Sequence, residues 1–453
     1  MTLSTPRPAR APRRALDDLG LPVEATILDT IAADEPAWLA DDRRAAFAAY
    51  LELPGESNLL YTPYIDLRAA RLDAATVVTD VDADRAPGTL PPDADGLIEV
   101  VEGRVVTLEL SEAAHEAGVA LRSLLDDVEA VRELLADGGA LPAGDRYAQL
   151  TRALWTQGVV LDVPAGVRLE RPIIIRWAAG AADRALLTRT LVHLGEGADA
   201  ALVEELVASP EADHAASQAL FTGTLEVTLD ANASLRVASL QELPGHVVAI
   251  QHRAADLGEG ASLLWALAQL GGRLVRSRNE NRLRGDRSAV EQVEIVFGAD
   301  EQLFDLTSYT THIGRDTTGD LLSKGALLDR ARTYLKGLIT IEKTAVGTNS
   351  FLGEFGMNLS KSARSVAIPS LEIDQPDCRR AAHSSSVGPV DETQLFYLES
   401  RGIPPDEARK FIVLGFLEPV VARVPLASAQ DRLRDALEAK WAAGSVPSAE
   451  AAA

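Results

Sequence analysis

From about Val159 onward, short apolar runs rich in β-branched residues alternate with turns, and no long helical segment separates them. The runs read VVLDVPAGVRL, PIIIRW, RTLVHL, TLEVTL, SLRVASL, VEQVEIVF and YLKGLITI. Runs of this length and composition, bounded by Gly, Pro, Asp and Asn, are typical of β-strands. A chain of 453 residues that repeats this texture over half its length must therefore build most of its core from stacked or facing sheets.

A small residue recurs between a turn and the next apolar run. The positions are Ala198, Ala233, Ala261, Ser288, Ala331, Ala345 and Ala363. The spacing is irregular, which makes this an imperfect repeat. Repeated strands with small residues at the corners indicate a solenoid whose turns stack on one another. A β-sandwich with similar turns fits the periodicity equally well, so this pattern alone leaves both architectures open.

Composition narrows the classes of function. Aromatic residues make up 5% of the chain, so the core is built from Val, Leu, Ile and Ala, which favours thin repetitive layers. The formal charge of -23 argues against nucleic acid and against an anionic membrane as partners. No apolar run approaches the roughly 20 residues of a membrane span. A single cysteine excludes an intramolecular disulfide and predicts a reducing, cytoplasmic location.

Helical patterns flank the strand-rich region. Residues 35–53 and 111–135 have apolar side chains at helical spacing, and both segments are predicted to be helices. After His383, one helix ends at Gly402, a second begins at Pro404-Pro405, and a third lies near residues 427–441. The Arg- and Pro-rich residues 1–20 are predicted to form a disordered tail rather than a transit peptide, because Asp17 and Asp18 follow the arginines at once.

No catalytic constellation is recognisable. The chain contains no G-x-x-x-x-G-K-[ST] phosphate loop, no G-x-S-x-G elbow and no H-E-x-x-H motif. The nearest approaches to a dinucleotide fingerprint, Gly195-Glu196-Gly197 and Gly258-Glu259-Gly260, precede strand-like runs and carry acidic central residues, so both are interpreted as turns. We therefore expect no enzymatic activity.

One polar segment at the end of the strand region does combine ligand types that iron accepts. Cys378 and His383 lie close to Glu372, Asp374 and Asp377. Thiolate, imidazole and carboxylate all bind iron in proteins. The alternative interpretation is a loop of turn and capping residues, with Ser384 to Ser386 bonded to the backbone.

This segment resembles the shared C-terminal signature of the SufB/SufD family, the paralogous scaffold proteins of the SUF iron–sulfur assembly system. The matching positions read Pro369-Ser370-Leu371-Glu372-Ile373, Ala382-His383-Ser384-Ser385-Ser386-Val387-Gly388, Asp391-Glu392, Leu395-Phe396-Tyr397-Leu398, Ser400-Arg401-Gly402-Ile403 and Gly415-Phe416. The similarity extends over roughly residues 150–421, and weakly to the helix at residues 35–53. SufB-type members carry a cysteine at a position that falls near Ala363 of this chain, and a glutamate where this chain has Ser384, so the resemblance is to the SufD type.

The resemblance implies a mainly β fold: a right-handed parallel β-helix core with an N-terminal helical region and a C-terminal α-helical domain. The bounds that we predict are a tail at 1–20, a mostly helical region at 21–145, the β-helix at 146–385, the helical domain at 386–442 and a second tail at 443–453.

The resemblance also implies partners and site residues. A SufB-type paralogue would pair with the end of the β-helix, and a SufC ATPase would dock on the C-terminal helices. His383 inherits a role in cluster assembly at the SufB interface and is a candidate metal ligand, whereas Cys378 matches no family position and is predicted to be structural. Candidate SufC-docking residues are Phe396, Tyr397, Arg401, Gly402, Ile403, Phe411 and Phe416.

The expected function is a non-catalytic scaffold in iron–sulfur cluster assembly. It would bind no cofactor of its own and would share iron or a nascent cluster transiently at the interface of the complex; in isolation it could form a homodimer. Two alternatives are a SufB-like paralogue that holds a cluster itself and a β-helical carbohydrate-active enzyme. The single cysteine argues against the first alternative, and the scarcity of aromatic residues argues against the second.

Overall fold

The computed structural model describes residues 15–56, 58, 66–80, 89–135, 139–212 and 216–443. The α-helices are α1 (Ile27–Ile31), α2 (Ala37–Glu52), α3 (Glu112–Glu116), α4 (Arg132–Leu135), α5 (Arg146–Leu154), α6 (Glu392–Ser400), α7 (Pro405–Val421) and α8 (Ala427–Ala443). The first strands are β1 (Thr76–Val77), β2 (Gly96–Val101), β3 (Arg104–Leu110), β4 (Ala120–Ser123), β5 (Gln157–Val163), β6 (Ile173–Ala179), β7 (Arg184–Leu194), β8 (Asp199–Ala208), β9 (Ala219–Leu229) and β10 (Ser234–Gln241). The remaining strands are β11 (Val247–Leu257), β12 (Ser262–Gln269), β13 (Leu274–Leu283), β14 (Ala289–Gly298), β15 (Leu303–His312), β16 (Thr318–Leu327), β17 (Arg332–Ile341), β18 (Asn349–Asn358), β19 (Arg364–Ile373) and β20 (Arg380–Gly388).

The strands form a parallel solenoid with two strands in each turn. Odd-numbered strands from β5 to β19 make the first sheet, and even-numbered strands from β6 to β20 make the second, so each sheet has eight parallel strands. The register repeats evenly in the middle: Leu274 pairs with Leu303, and Leu303 pairs with Arg332. The fold class is thereby confirmed, and the β-sandwich alternative is wrong, because successive strands alternate between two parallel sheets. Right-handed winding is what the crossover rule predicts for such connections.

Small residues occupy the corners between the two sheets. The seven positions singled out in the sequence are all buried, with exposed fractions between 0% and 8%. Ala198, Ala233, Ala261 and Ser288 each precede a strand of the second sheet directly. Successive corners stack, so a larger side chain would have no space there.

The apolar core lies between the two sheets, and the helices cover their outer faces. Helices α2 and α5 pack on the first sheet, where Phe47 and Leu150 belong to one buried cluster with Val248. Helices α7 and α8 pack on the second sheet, where Leu417 and Leu433 belong to another. No helix in the described ranges has the length and apolarity needed to cross a bilayer.

The N-terminal region differs from the sequence prediction in one segment. The helix predicted at residues 111–135 is wrong: the chain forms α3, turns at Gly118, which has a φ of +81°, and enters β4. Strand β4 pairs antiparallel with β5, and this pairing outweighs the helical spacing of the apolar residues. The region predicted as mostly helical therefore also contributes strands β1 to β4.

The two predicted tails fall largely outside the described residues, at positions 1–14 and 444–453. Residues 15–20, which we also assigned to the first tail, are part of the packed structure. Leu19 is 2% exposed and belongs to the apolar cluster beside the first sheet. At the other end, α7 begins at Pro405 and α6 stops before Gly402, which has a φ of +86°, as the sequence predicted.

Candidate functional site at the open end of the solenoid

The C-terminal end of the solenoid is open. Within the described residues, β19 pairs with β17 alone and β20 with β18 alone, so each strand leaves one edge without a partner. The side chains there are also poorly covered, since most of β20 is exposed and most of β19 is half-buried. Unpaired strand edges are ready templates for another chain.

His383 lies on the last strand of the second sheet, and its side chain points to the solenoid interior. It pairs in register with Leu352, which is buried in the apolar cluster that closes the interior. Ala381, two residues earlier and so on the same face of the strand, packs on that cluster. Among the described residues no further turn covers His383, and it is exposed.

Cys378 is half-buried and packs beside the same closing cluster as Ile339 and Leu352. Its structural role stays a prediction. The neighbouring carboxylates Glu372, Asp374 and Asp377 are exposed. In the part of the chain that the structure describes, no group of three His, Cys, Asp or Glu side chains could hold a metal ion.

A buried acid, Glu354, lies one turn below the end strand. Its residue is 1% exposed, and its Oε2 accepts a hydrogen bond of 2.9 Å from the backbone N–H of Ile368. Burial raises the pKa of the Glu354 carboxyl to about 8. Sequence reasoning missed this residue. Its signal was present in FLGEFGMN, where a glutamate stands on the inward face of a strand, two residues after Leu352.

The middle of the solenoid interior is polar as well. Glu294 accepts hydrogen bonds from Gln269, Ser277 and Asn279, and burial raises its pKa. Ser277 also lies within hydrogen-bond distance of Arg253. The members of this network are buried, and their mutual hydrogen bonds help to fix the packing of the turns, although Arg253 Nε and Asn279 Oδ1 have no partner among the described residues.

Helix α6 presents an uncovered apolar surface. It has no buried residue, and Phe396 and Tyr397 are 71% and 57% exposed. Arg401 stacks over the Tyr397 ring at 5.3 Å. On α7, Phe411 is 57% exposed. We call the surface formed by Phe396, Tyr397 and Phe411 the aromatic surface.

Two other docking candidates are more enclosed. Ile403 is half-buried in the loop between α6 and α7. Phe416 packs against the second sheet: the Lys324 ammonium lies 4.6 Å from its ring centre and donates a 3.0 Å hydrogen bond to its carbonyl. Phe416 therefore holds α7 on the solenoid. Arg401 and Gly402 are exposed, as are the residues of the aromatic surface.

Together these features define a class of protein: a two-sheet parallel solenoid with one open end and a helical appendage that leaves aromatic side chains uncovered. The family model described as "SUF system FeS cluster assembly, SufBD core domain" matches residues 177–416, and the chain belongs to this family.

Similarity to curated proteins extends over most of the chain. It is 29% identical to the iron–sulfur cluster assembly protein SufD of Bacillus subtilis over 338 residues, which cover 74% of this chain and 76% of the relative. It is 26% identical to a SufBD family protein of Staphylococcus epidermidis, over 73% of this chain and 71% of the relative. A SufBD family protein of Staphylococcus haemolyticus is 25% identical over the same shares. The resemblance drawn from the sequence is confirmed.

Proposed function

We propose that this chain is a non-catalytic scaffold subunit of the SUF system and supports iron–sulfur cluster assembly together with a SufB-type paralogue and a SufC-type ATPase. The observation that carries the proposal is the open solenoid end, where His383 faces inward between two strand edges that lack partners among the described residues.

A second solenoid of the same family is the partner that best fits this end. Its own terminal strands can add to β19 and β20 by backbone hydrogen bonds. Iron or a nascent cluster would then be cargo at the junction. This chain would contribute an imidazole, and the thiolates that clusters require would come from the paralogue, since Cys378 packs inward. Without the paralogue, a second copy of this chain could occupy the same edges.

The aromatic surface supports a separate docking role for the C-terminal helices. Exposed aromatic side chains on a helix with no buried residue leave apolar area in water. Such side chains are the usual anchors of protein interfaces. The chain has no phosphate loop of its own, so the nucleotide chemistry would be that of the docked ATPase.

The proposal is tested by co-expressing the chain with the SufB-type and SufC-type proteins of its own organism, followed by affinity purification and native mass determination. The expected product is a complex that contains this chain, the SufB-type protein and two copies of the SufC-type protein. His383→Ala should leave this complex assembled and lower its cluster yield. His115→Ala, which changes an exposed histidine near the opposite end of the solenoid, is the matched control. A monomer that binds neither protein would overturn the proposal.

A further inference from the structure

We propose that Glu354 and His383 form an inward-facing oxygen–nitrogen pair that binds one divalent first-row metal ion, such as Fe²⁺, at the open end of the solenoid. This inference rests on the proposed function, because it names a second residue of the same site. The new residue is Glu354, a carboxylate that neither the sequence motifs nor the family signature indicated.

The register brings the two residues to the same face of neighbouring strands. Glu354 pairs with Ser385, and Leu352 pairs with His383, so Glu354 is the diagonal neighbour of His383. Leu352 and Glu354 are two residues apart on β18 and therefore point to the same side, which is the interior. Two residues along a strand span about 6.6 Å and neighbouring strands lie about 4.8 Å apart, so such diagonal neighbours are roughly 8 Å apart at the backbone, a distance that two long side chains can bridge. An ion between the two side chains could contact both.

The Glu354 carboxylate has an uncommitted oxygen. Oε2 accepts from Ile368 N–H, whereas Oε1 has no hydrogen-bond donor among the described residues. No lysine or arginine in the described ranges lies within 4.0 Å of either oxygen. Glu354 is 1% exposed, and burying a carboxylate away from water without a cation beside it costs free energy. A folded chain that keeps such a carboxyl is typical of a site that a bound ion or a partner completes.

Opposite Glu354, the first sheet has a glycine. A Cβ at Gly337 would lie 2.9 Å from Glu354 Oε1 and 2.5 Å from a methyl group of Leu352. Any larger residue would press on the carboxylate, so Gly337 keeps the space around Oε1. Access is from the open end, since residues 383–387 of β20 are exposed.

The donor set matches the chemistry of the cargo. Imidazole nitrogen and carboxylate oxygen suit Fe²⁺ and Co²⁺ alike. Two protein ligands leave further coordination positions on the ion for water or for groups of the paralogue. Such incomplete coordination suits an ion that is transferred to a partner rather than held permanently.

The test uses the isolated full-length chain and Co²⁺, whose visible absorption reports nitrogen and oxygen coordination. We expect one Co²⁺ per chain, displaced by Fe²⁺ under anaerobic conditions. Loss of an outer-shell partner weakens metal binding by about 10–100-fold, so E354Q and H383A, which remove ligands, should each weaken it at least as much. E354D keeps a carboxylate and should recover part of the affinity. E52Q, which changes an exposed carboxylate at the end of α2, should bind as the wild type does.

Wild-type affinity in E354Q, or the absence of a single Co²⁺ site in the wild type, would overturn the inference. Misfolding is checked by circular dichroism and by the thermal midpoint of each variant. Co-purification of E354Q with the SufB-type and SufC-type proteins is measured in parallel. If E354Q assembles normally and binds Co²⁺ as the wild type does, the proposed metal pair is wrong and the scaffold proposal is unaffected. If the wild type fails to assemble, the scaffold proposal alone is contradicted.

Discussion

The guanidinium of Arg276 donates a hydrogen bond of 2.7 Å to the carboxylate of Asp145, although the two residues are 131 positions apart in the chain. Arg278 donates to the same oxygen at 2.8 Å, and His252 Nε2 lies 2.9 Å from the other oxygen. Asp145 also caps α5 by accepting from the backbone N–H groups of Tyr147 and Ala148. This single carboxylate therefore attaches the N-terminal helices to the first sheet of the solenoid.

Asp145→Asn should lower the free energy of unfolding by about 3–5 kcal/mol, because it leaves the buried Arg276 without its ion-pair partner and leaves Arg278 with Glu280 alone. Burial alone would raise the pKa of Asp145, but the charges of Arg276, His252 and Arg278 outweigh it and hold this pKa well below its usual value. A depressed carboxyl pKa stabilises the fold above the pKa of the unfolded chain, and that stabilisation is lost as the pH falls. The D145N defect should therefore be large at pH 7 and shrink in acid, as measured by urea unfolding.

Asp66→Asn is the control for this experiment. Its pair with Arg68 has a similar N–O distance, 2.8 Å, but the Asp66 side chain is 51% exposed. Exposed pairs contribute about 0–1 kcal/mol. An equal loss of stability in D66N and D145N would contradict the view that the large contribution of Asp145 to the free energy of unfolding comes from its burial.

The corners of the solenoid make a steric prediction. A Cβ at Gly285, in the turn between β13 and β14, would lie 2.0 Å from the backbone nitrogen of Glu259 in the turn below. Backbone cannot yield as a flexible side chain does, so Gly285→Ala should destabilise the chain by about 3 kcal/mol or more. Gly245→Ala, where no atom lies within 4 Å of the added Cβ, should stay within about 0.5 kcal/mol of the wild type. Equal thermal midpoints for the two variants would refute the stacked-corner argument.

The fold could be predicted in large part because its elements are local. Each strand is a short β-branched run, and each corner has a small residue next to a turn, so both features can be recognised within a few positions of sequence. Residues 111–135 show the limit: the segment was predicted to be one helix, but Val119 and Leu121 are buried where β4 joins the first sheet. Pairing with β5, almost 40 positions later, decided the conformation.

Of the candidate site, only the residues that lie within the recognisable signature could be predicted from the sequence. His383 lies in a recognisable signature, whereas the position of Glu354 beneath it depends on the register of β18 with β20 and on the space left by Gly337. The Asp145 cluster likewise joins residues more than 100 positions apart. Such relationships arise from packing between turns, and single-sequence patterns contain no information on which turns meet.

The aromatic surface predicts a binding defect without a folding defect. Phe396→Ser combined with Tyr397→Ser should weaken binding of the SufC-type ATPase by about 2 kcal/mol or more, roughly thirtyfold, if these rings are anchors of the interface. Both rings are more than half exposed, so the thermal midpoint of the isolated chain should barely change. The affinity is measured by titration calorimetry with the purified ATPase.

Leu51→Ser is the matched control, since Leu51 is 60% exposed on α2, among the N-terminal helices. It should bind the ATPase with wild-type affinity. A wild-type affinity in the double variant would instead assign ATPase docking to another surface.

Helix α8 is held against the solenoid by a lysine that titrates near neutrality. Lys440 Nζ donates hydrogen bonds to the carbonyl of Leu270 and to Gln302 Oε1, the latter at 2.8 Å. Burial lowers the pKa of Lys440 to about 7. Above this pH the folded chain has lost a proton that the unfolded chain still binds, up to the ordinary lysine pKa of about 10.4. The contribution of Lys440 to stability must therefore rise with pH between about 7 and 10.

Lys440→Met should abolish this increase in stability between about pH 7 and 10, because methionine does not titrate. Because Met retains much of the length and apolar character of the lysine chain, K440M should be at least as stable as the wild type at pH 7, and its advantage should shrink as the pH is raised. At each pH, the free energy of unfolding of the wild type, measured with urea, is subtracted from that of K440M, which cancels the contribution of every other titrating group. One of these groups is Glu354, whose raised pKa makes stability fall with pH over part of this range. Lys410→Met, at a lysine paired with Glu438 at 3.2 Å between α7 and α8, is the matched control for replacing a lysine of these helices by methionine. A K440M difference that does not vary with pH would mean that Lys440 keeps its charge in the folded chain and that its two hydrogen bonds, rather than its deprotonation, hold α8 in place.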